Sequence, residues 1–323
     1  MEGIAHTIAT SRRTASFHEF FSADNFDVVL FILMLVPLED VVLNVRCINR
    51  ACRDMARERL NKASPFIFPL FRAPYSIFQT SIFTTTLLSL CTSRLHNTHM
   101  CTLAAALENG VLPALKWLHL TNNKIGDAGL EAFSKAVGNG ALPALRDLWL
   151  QGNQIGDVGF SAFAEVVGNG ALRLLKVLTL GYNKIGNPGM IALSDAIGKG
   201  ALPRLPKLWL NNNKIGDDGI KAFAAALTSG SGALPSLKDL DLGVNKISDP
   251  GMIALSQAIG KGGLPLLMDL SLQGNKISDP GMIALSKAIG NDHPLHLKTL
   301  WIDRPTEQLK NHCASNGIKL NTF

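Results

Sequence analysis

Residues 115–125 read LKWLHLTNNKI, and close copies of this stretch recur along most of the chain. Each copy fits the pattern L-x-x-L-x-L-x-x-N-x-I, and successive copies lie 30 residues apart except for one step of 32. The other copies are residues 145–155, 175–185, 205–215, 237–247 and 267–277. A fixed period of this length predicts a repeat architecture in which each unit packs against its two neighbours.

Each unit begins with a predicted β-strand. In the first copy Leu118 and Leu120 alternate with outward residues at 117, 119 and 121, which is the period of a strand with one buried face. The leucines are expected to point into the core. Strands of successive units would pair in parallel, a contact that an isolated unit cannot make.

The second half of each unit is predicted to be a helix. An aspartate or asparagine stands in front of it and is expected to be its N-cap. These residues are Asp127, Asp157, Asn187, Asp217, Asp249 and Asp279. In three units a proline follows (Pro188, Pro250 and Pro280), where the first helical position is expected. Apolar residues four apart, such as Phe133 and Val137, supply the buried stripe, and glycine-rich turns end each helix.

The recurring I-G-D-x-G motif and the helix in every unit resemble the ribonuclease-inhibitor-like class of leucine-rich repeats. The resemblance implies an α/β solenoid, a horseshoe with parallel strands inside and helices outside, whose usual role is to bind other proteins. It also implies a ladder of asparagines that satisfies backbone groups where the chain leaves each strand. The ladder residues are Asn123, Asn153, Asn183, Asn213, Asn245 and Asn275.

The two ends of the solenoid, predicted to span residues 85–323, depart from the pattern. Residues 85–111 keep Leu88 and Leu90 but carry Ser93 in place of the asparagine, and their helix is expected over 102–107. Residues 297–302 begin a further strand without the asparagine, followed by a short helix around 307–314. Atypical end units are expected because they cover an otherwise open core.

Residues 24–62 form a separate predicted module of three short helices, between a flexible terminus (1–23) and a linker (63–84). The residues at 29–40 and 48–56 resemble an F-box, the segment that docks the adaptor subunit of an SCF-type ubiquitin ligase. The resemblance assigns the adaptor contact to Leu30, Leu33, Pro37, Leu38 and Ile48. The usual opening Leu-Pro is here Asn25-Phe26, and the usual tryptophan is Cys52. The alternative interpretation is a helical cap on the solenoid.

Composition excludes several other classes of function. The net charge is +6 without a dense basic block, so nucleic acid is not an expected partner. The apolar run at 28–38 is too short to cross a membrane. Five scattered cysteines favour a reducing compartment, and the cytoplasm or nucleus is predicted. No catalytic, metal-binding or cofactor motif is present, so the protein is not expected to be an enzyme and needs no cofactor.

The outward strand positions are the candidate binding surface, because all four tryptophans of the protein fall there. Tryptophan is enriched at the energetic centres of interfaces, although broad aromatic side chains could instead shield the strands from water. The predicted contact residues are Trp117, His119, Asp147, Trp149, Tyr182, Lys207, Trp209, Asp239, Asp241, Asp269 and Trp301. An aromatic half beside an acidic half suggests a protein target with an apolar anchor near Lys or Arg.

These features together predict a substrate receptor that recruits a protein to an SCF-type ubiquitin ligase and is a monomer outside its complex. One alternative is a plain interaction scaffold. Another is a regulator of a small GTPase resembling Ran GTPase-activating proteins. That family uses an arginine in an early repeat loop, where this chain offers Lys124 and Gln154.

Overall fold

The computed structural model describes residues 86–110, 112–229, 234–290 and 296–322, and in them strands alternate with helices. The strands are β1 (Leu87–Ser89), β2 (Trp117–His119), β3 (Asp147–Trp149), β4 (Val177–Thr179), β5 (Lys207–Trp209), β6 (Asp239–Asp241), β7 (Asp269–Ser271), β8 (Thr299–Trp301) and β9 (Lys319–Asn321). The helices are α1 (Asn97–Glu108), α2 (Asp127–Gly138), α3 (Asp157–Gly168), α4 (Asn187–Gly198), α5 (Asp217–Thr228), α6 (Asp249–Gly260), α7 (Asp279–Ile289) and α8 (Glu307–Ser315). The predicted helical module at 24–62 lies outside the described residues, as do the terminus before it and the linker at 63–84.

The strands form one open parallel sheet in which sequence order and spatial order are the same, from β1 to β9. Each strand pairs with the next without a shift, so that equivalent residues of successive units lie side by side. Because paired strands are about 4.8 Å apart and packed helices about 8–10 Å apart, the helical side is the longer one and the array bends around its sheet. The predicted α/β solenoid is confirmed.

The core runs unbroken along the array, between the sheet and the helices. The inward leucines of the strands are fully buried, as Leu118 and Leu120 show, and they meet apolar helix residues such as Phe133 and Phe163. Full burial of one such side chain is worth about 1.5–3 kcal/mol. One unit buries few of them alone, so stability depends on stacking.

The asparagine ladder joins neighbouring units through their backbones. The Asn153 side-chain amide donates to the carbonyls of Leu120 in the preceding unit and Leu150 in its own, both at 2.9 Å. Its Oδ1 accepts the N–H of Ile125 at 3.0 Å. The other ladder asparagines make the same set of bonds. Backbone groups that leave the sheet are thereby satisfied without water.

The predicted N-caps are wrong in a specific way. Asp127 is the first residue of α2 rather than its cap, which is Gly126, and it makes no capping bond to its own helix. Its Oδ1 instead accepts the N–H groups of Gly156 and Gly159, at 2.7 and 3.1 Å, at the start of the next helix. Asp157, Asn187, Asp217 and Asp249 cap the helix of the following unit in the same way, because stacking brings the start of that helix over their side chains.

Two further differences concern helix starts. The prolines occupy the second helical residue rather than the first, because the helices begin at the aspartate or asparagine itself. Helix α1 begins at Asn97, five residues before the predicted start, and the Asn97 Oδ1 accepts the Gly126 N–H at 2.7 Å. The first unit thus keeps the link between helices although it lacks the ladder asparagine.

The C-terminal end contains a strand that the repeat pattern does not predict. Strand β9 pairs with β8 in parallel, and helix α8 between them buries Leu309 and Cys313. The prediction had ended the array at this helix. Because β9 is three residues long and lacks the repeat pattern, only its pairing with β8 identifies it.

Candidate protein-interaction surface

The outward residues of the strands form two continuous rows across the sheet, here called the sheet face. The first row reads Leu87, Trp117, Asp147, Val177, Lys207, Asp239, Asp269, Thr299 and Lys319. The second reads Ser89, His119, Trp149, Thr179, Trp209, Asp241, Ser271, Trp301 and Asn321. All four tryptophans lie in these rows and are half-buried. Their rings therefore lie partly in contact with the sheet.

Thr179 occupies the centre of the aromatic part of the sheet face. It points outward, yet its exposed fraction is 0%. Its neighbours in the row are Trp149 and Trp209, whose rings are large enough to cover it. The Oγ1 of Thr179 and the Nε1 of Trp149 are both buried without a hydrogen-bond partner. Two polar atoms from neighbouring strands are thus left unsatisfied on the outer surface of the sheet, where Thr121 Oγ1 is a third.

His119 and Asp147 extend the aromatic part toward the first unit. The His119 ring lies on Trp149 with 4.7 Å between centroids. Burial lowers the pKa of His119, against the nearby Asp147 carboxylate, which raises it. Burial also raises the pKa of Asp147, although His119 and a hydrogen bond from Trp117 act in the opposite direction. The neutral form of the His119 imidazole is therefore favoured.

Lys207 joins the aromatic part to the acidic part. Its Nζ lies 4.5 Å from the centroid of the Trp209 ring and 3.2 Å from Oδ2 of Asp239. The cation thus fixes both neighbours at once, through a cation–π contact and an ion pair. Trp209 is thereby held in contact with a cation that is itself paired with Asp239.

Asp241 is the most deeply placed acid of the sheet face. Its Oδ1 accepts the hydroxyl of Ser271 at 2.7 Å and the N–H of Gly243 at 2.9 Å. Burial raises its pKa despite these two hydrogen bonds, and the charge of Asp239 adds to the rise. Asp269 is half-buried beside Asp239 in the first row. The acidic part is therefore a cluster with one neighbouring lysine rather than a set of paired ions.

Two predicted contact residues lie apart from this centre. Trp301 is near the far end of the second row, between Ser271 and Asn321. Tyr182 belongs to neither row, because it stands in the turn after β4 with a φ of 55° and an exposed fraction of 54%. Thr179 was not among the predicted contact residues, although the alignment of the repeats already places it between two tryptophans.

The described part of the chain shows neither a metal-ion site nor a membrane-spanning helix. Within it, no group of three or more His, Cys, Asp or Glu side chains is placed to hold a metal ion. No helix among the same residues is long and apolar enough to cross a membrane.

Comparison with known proteins identifies the repeats. The family model described as Leucine Rich repeat matches residues 113–134, 142–164, 171–194, 207–224, 233–256 and 263–286. No curated protein matches the chain. Among similar solved structures is Leiomodin-1 Actin-Binding Site 2, 17% identical, with a TM-score of 0.39 over 48% of this chain and 84% of that one. The six matched segments coincide with the stacked strand–helix units, and the chain therefore carries an array of leucine-rich repeats.

Proposed function

We propose that the chain is a substrate receptor, in which the sheet face binds a protein target and residues 24–62 dock the adaptor of an SCF-type ubiquitin ligase. The observation that carries target binding is that Trp149 Nε1 and Thr179 Oγ1, on neighbouring strands, are both buried without a hydrogen-bond partner. A buried polar atom without a partner costs about 1–3 kcal/mol. A target that supplies a carbonyl oxygen, after a small rotation of the indole rings, recovers part of that cost.

The same surface favours a particular target chemistry. The rings of Trp149 and Trp209 offer a place for an apolar side chain, and tryptophan is enriched among residues that dominate binding energy. Beside them lie Asp239, Asp241 and Asp269, with Lys207 as the neighbouring cation. The proposed target segment therefore carries an apolar anchor with Lys or Arg close to it.

The test of target binding compares the intact chain with Trp149→Ala combined with Trp209→Ala. Proteins captured from a cell lysate by the intact chain are identified by quantitative mass spectrometry. We expect recovery of the specific target to fall at least about tenfold with the double variant, which is roughly 1.4 kcal/mol. Val158→Ala, on an exposed helix residue, is the control and should capture normally. The proposed role of the sheet face would be contradicted if the double tryptophan variant and Val158→Ala recovered the target equally, with both shown to be folded by circular dichroism.

The ubiquitin link is supported by the F-box-like residues of the sequence. Its mechanism is proximity: the chain holds the target near a ubiquitin-transfer machine and performs no chemistry of its own, in the cytoplasm or nucleus. In a pull-down with the adaptor subunit, the intact chain should bind, and Leu33→Asp with Pro37→Ala should abolish binding. The double tryptophan variant should still bind the adaptor. An intact chain that captures a target but no adaptor would be a plain interaction scaffold.

A further inference from the structure

A second surface lies where the chain turns away from each strand, beside the asparagine ladder. The residue after the ladder asparagine is exposed in every described unit, and it is lysine in five of six. These residues are Lys124, Gln154, Lys184, Lys214, Lys246 and Lys276. The backbone N–H of each donates to a carbonyl of the preceding unit at 2.7–2.8 Å. Successive residues of this row are therefore anchored about 4.8 Å apart, as in a sheet, and the last four of them are lysines.

These lysines are not neutralised by salt bridges. The ion pairs found in the described residues involve Lys207, Lys221 and Lys310, none of which belongs to this row. The closest acids in sequence, such as Asp217, direct a carboxylate oxygen to backbone N–H groups of the next helix. Every repeat helix also begins at this edge and adds partial positive charge there. The edge thus presents free ammonium groups.

Tyr182 and Val244 lie among the lysines, in a backbone conformation that is unfavourable for residues with large side chains. Tyr182 and Val244 precede the ladder asparagine with φ of 55° and 51°, in the left-handed region. They are 54% and 44% exposed. The equivalent positions of other units hold asparagine or glycine, the residues that suit this region (Asn122, Gly152, Asn212 and Gly274). Leucines in the turns before the strands have a similar φ but are buried, whereas Tyr182 and Val244 combine this φ with exposure, and Val244 is also β-branched, which makes its positive φ a genuine outlier.

We propose that this turn edge, formed by Tyr182, Lys184, Lys214, Val244 and Lys246, binds an acidic linear segment of a protein partner that also carries apolar side chains. The lysines pair with separate carboxylates, and the segment's apolar residues cover Tyr182 and Val244. A continuous polyanion fits less well, because Asp217 lies three residues after Lys214 and Asp249 three residues after Lys246. The surface is independent of the sheet face, whose charged half is acidic.

The repeats themselves provide a variant that removes the apolar contacts without strain. Tyr182→Asn with Val244→Gly installs residues that other units already carry at this position. The second variant, Lys214→Glu with Lys246→Glu, reverses the charge of two exposed side chains. Full-length protein is titrated into a fluorescent peptide that alternates Glu and Leu, its Gln–Leu counterpart and an oligo-deoxythymidine, and binding is followed by anisotropy.

We expect the Glu–Leu peptide to bind, and both edge variants to weaken it at least tenfold. Added salt should weaken it as well, since the contact is between exposed charges. The Gln–Leu peptide should bind poorly, and Trp149→Ala with Trp209→Ala should leave Glu–Leu binding unchanged. The proposal is overturned if the intact chain shows no Glu–Leu binding up to millimolar concentration, if the edge variants bind equally, or if the oligonucleotide binds more tightly than the peptide through the same lysines.

Discussion

At the scale of single residues, the pKa of an aspartate is raised at one place in the array and lowered at another. Burial raises the pKa of Asp241 on the sheet face. Burial also acts to raise the pKa of Asp217, but it is outweighed by hydrogen bonds from Ser248 and Gly251, so this pKa is lowered. Asp217 is therefore stabilising as a carboxylate, whereas Asp241 is retained at an energetic disadvantage.

Replacing Asp217 with asparagine should lower the free energy of unfolding only at pH values where Asp217 is charged in the intact chain. Asn187 already accepts the equivalent N–H groups, so an amide oxygen keeps those two bonds, and what is lost is the charge at a helix start together with the bond that the charged oxygen accepts from the Ser248 hydroxyl. The contribution of the charge is about 0.3–1 kcal/mol at neutral pH. Because the folded pKa is lowered, it is present above the unfolded pKa of about 3.9 and disappears as pH falls through the folded pKa.

Urea unfolding of the intact chain and of Asp217→Asn, at neutral pH and near pH 3, measures this difference. The two curves should separate at neutral pH and converge in acid. Asp195→Asn is the control, because Asp195 is an exposed residue of α4 outside the inter-unit caps. A separation that is the same at both pH values would show that the carboxylate charge contributes nothing.

At the scale of elements, the packing of each helix from α2 to α7 on the preceding helix depends on a glycine in its first turn. A Cβ added to Gly159 would lie 2.6 Å from the Cα of Asp127, which is backbone and cannot move aside. We expect Gly159→Ala to lower the free energy of unfolding by about 1–3 kcal/mol through overpacking. Gly198→Ala is the matched control, since its Cβ would meet nothing closer than Ser229 Oγ at 3.8 Å.

Chemical denaturation of the two glycine variants distinguishes crowding from helix propensity. Alanine is the better helix former by up to about 1 kcal/mol, so Gly198→Ala should be neutral or stabilising. If Gly159→Ala were stabilising too, the close approach of α2 and α3 would not limit the residue at this position.

The repeat pattern predicted the strands, the helices and the leucine core because each of these follows from spacing within one unit. The N-caps were wrong because the partner of Asp127 lies in the next unit, and its identity depends on how units stack. The sheet-face rows followed from the period of the strands. The burial of Thr179 did not, because it results from the ring positions of two neighbours in other units. Helix α1 and strand β9 were misjudged where the pattern fades.

At the scale of the whole molecule, the array separates its surfaces by charge. The sheet face combines aromatic rings with acids, while the turn edge carries lysines and two strained apolar residues. Parallel stacking makes this separation possible, because one position of the repeat becomes one row along the molecule. A repeat position that holds tryptophan, aspartate or lysine in different units is not constrained by the fold and is available for binding, as Trp117, Asp147 and Lys207 illustrate.

The integrity of the array should depend on its C-terminal closure. Strand β9 covers the edge of β8, with Lys319 N–H donating to the Lys298 carbonyl at 2.8 Å, and α8 buries Leu309 against the core. A chain ending at Asp303 would expose the core beside α7 and leave β8 in place of β9 as the edge strand. Exposed edges pair with other chains, and uncapped arrays lose solubility.

We expect this truncation to lower the melting temperature by about 5–15 °C, because several kcal/mol of apolar burial is removed. Static light scattering should also show self-association. Lys310→Ala is the control, since Lys310 makes only a surface ion pair with Glu307 and its loss should be nearly neutral. A truncated chain that stays monomeric and melts with the intact protein would mean that β8 is a sufficient end, and that α8 and β9 serve another purpose than closing the core.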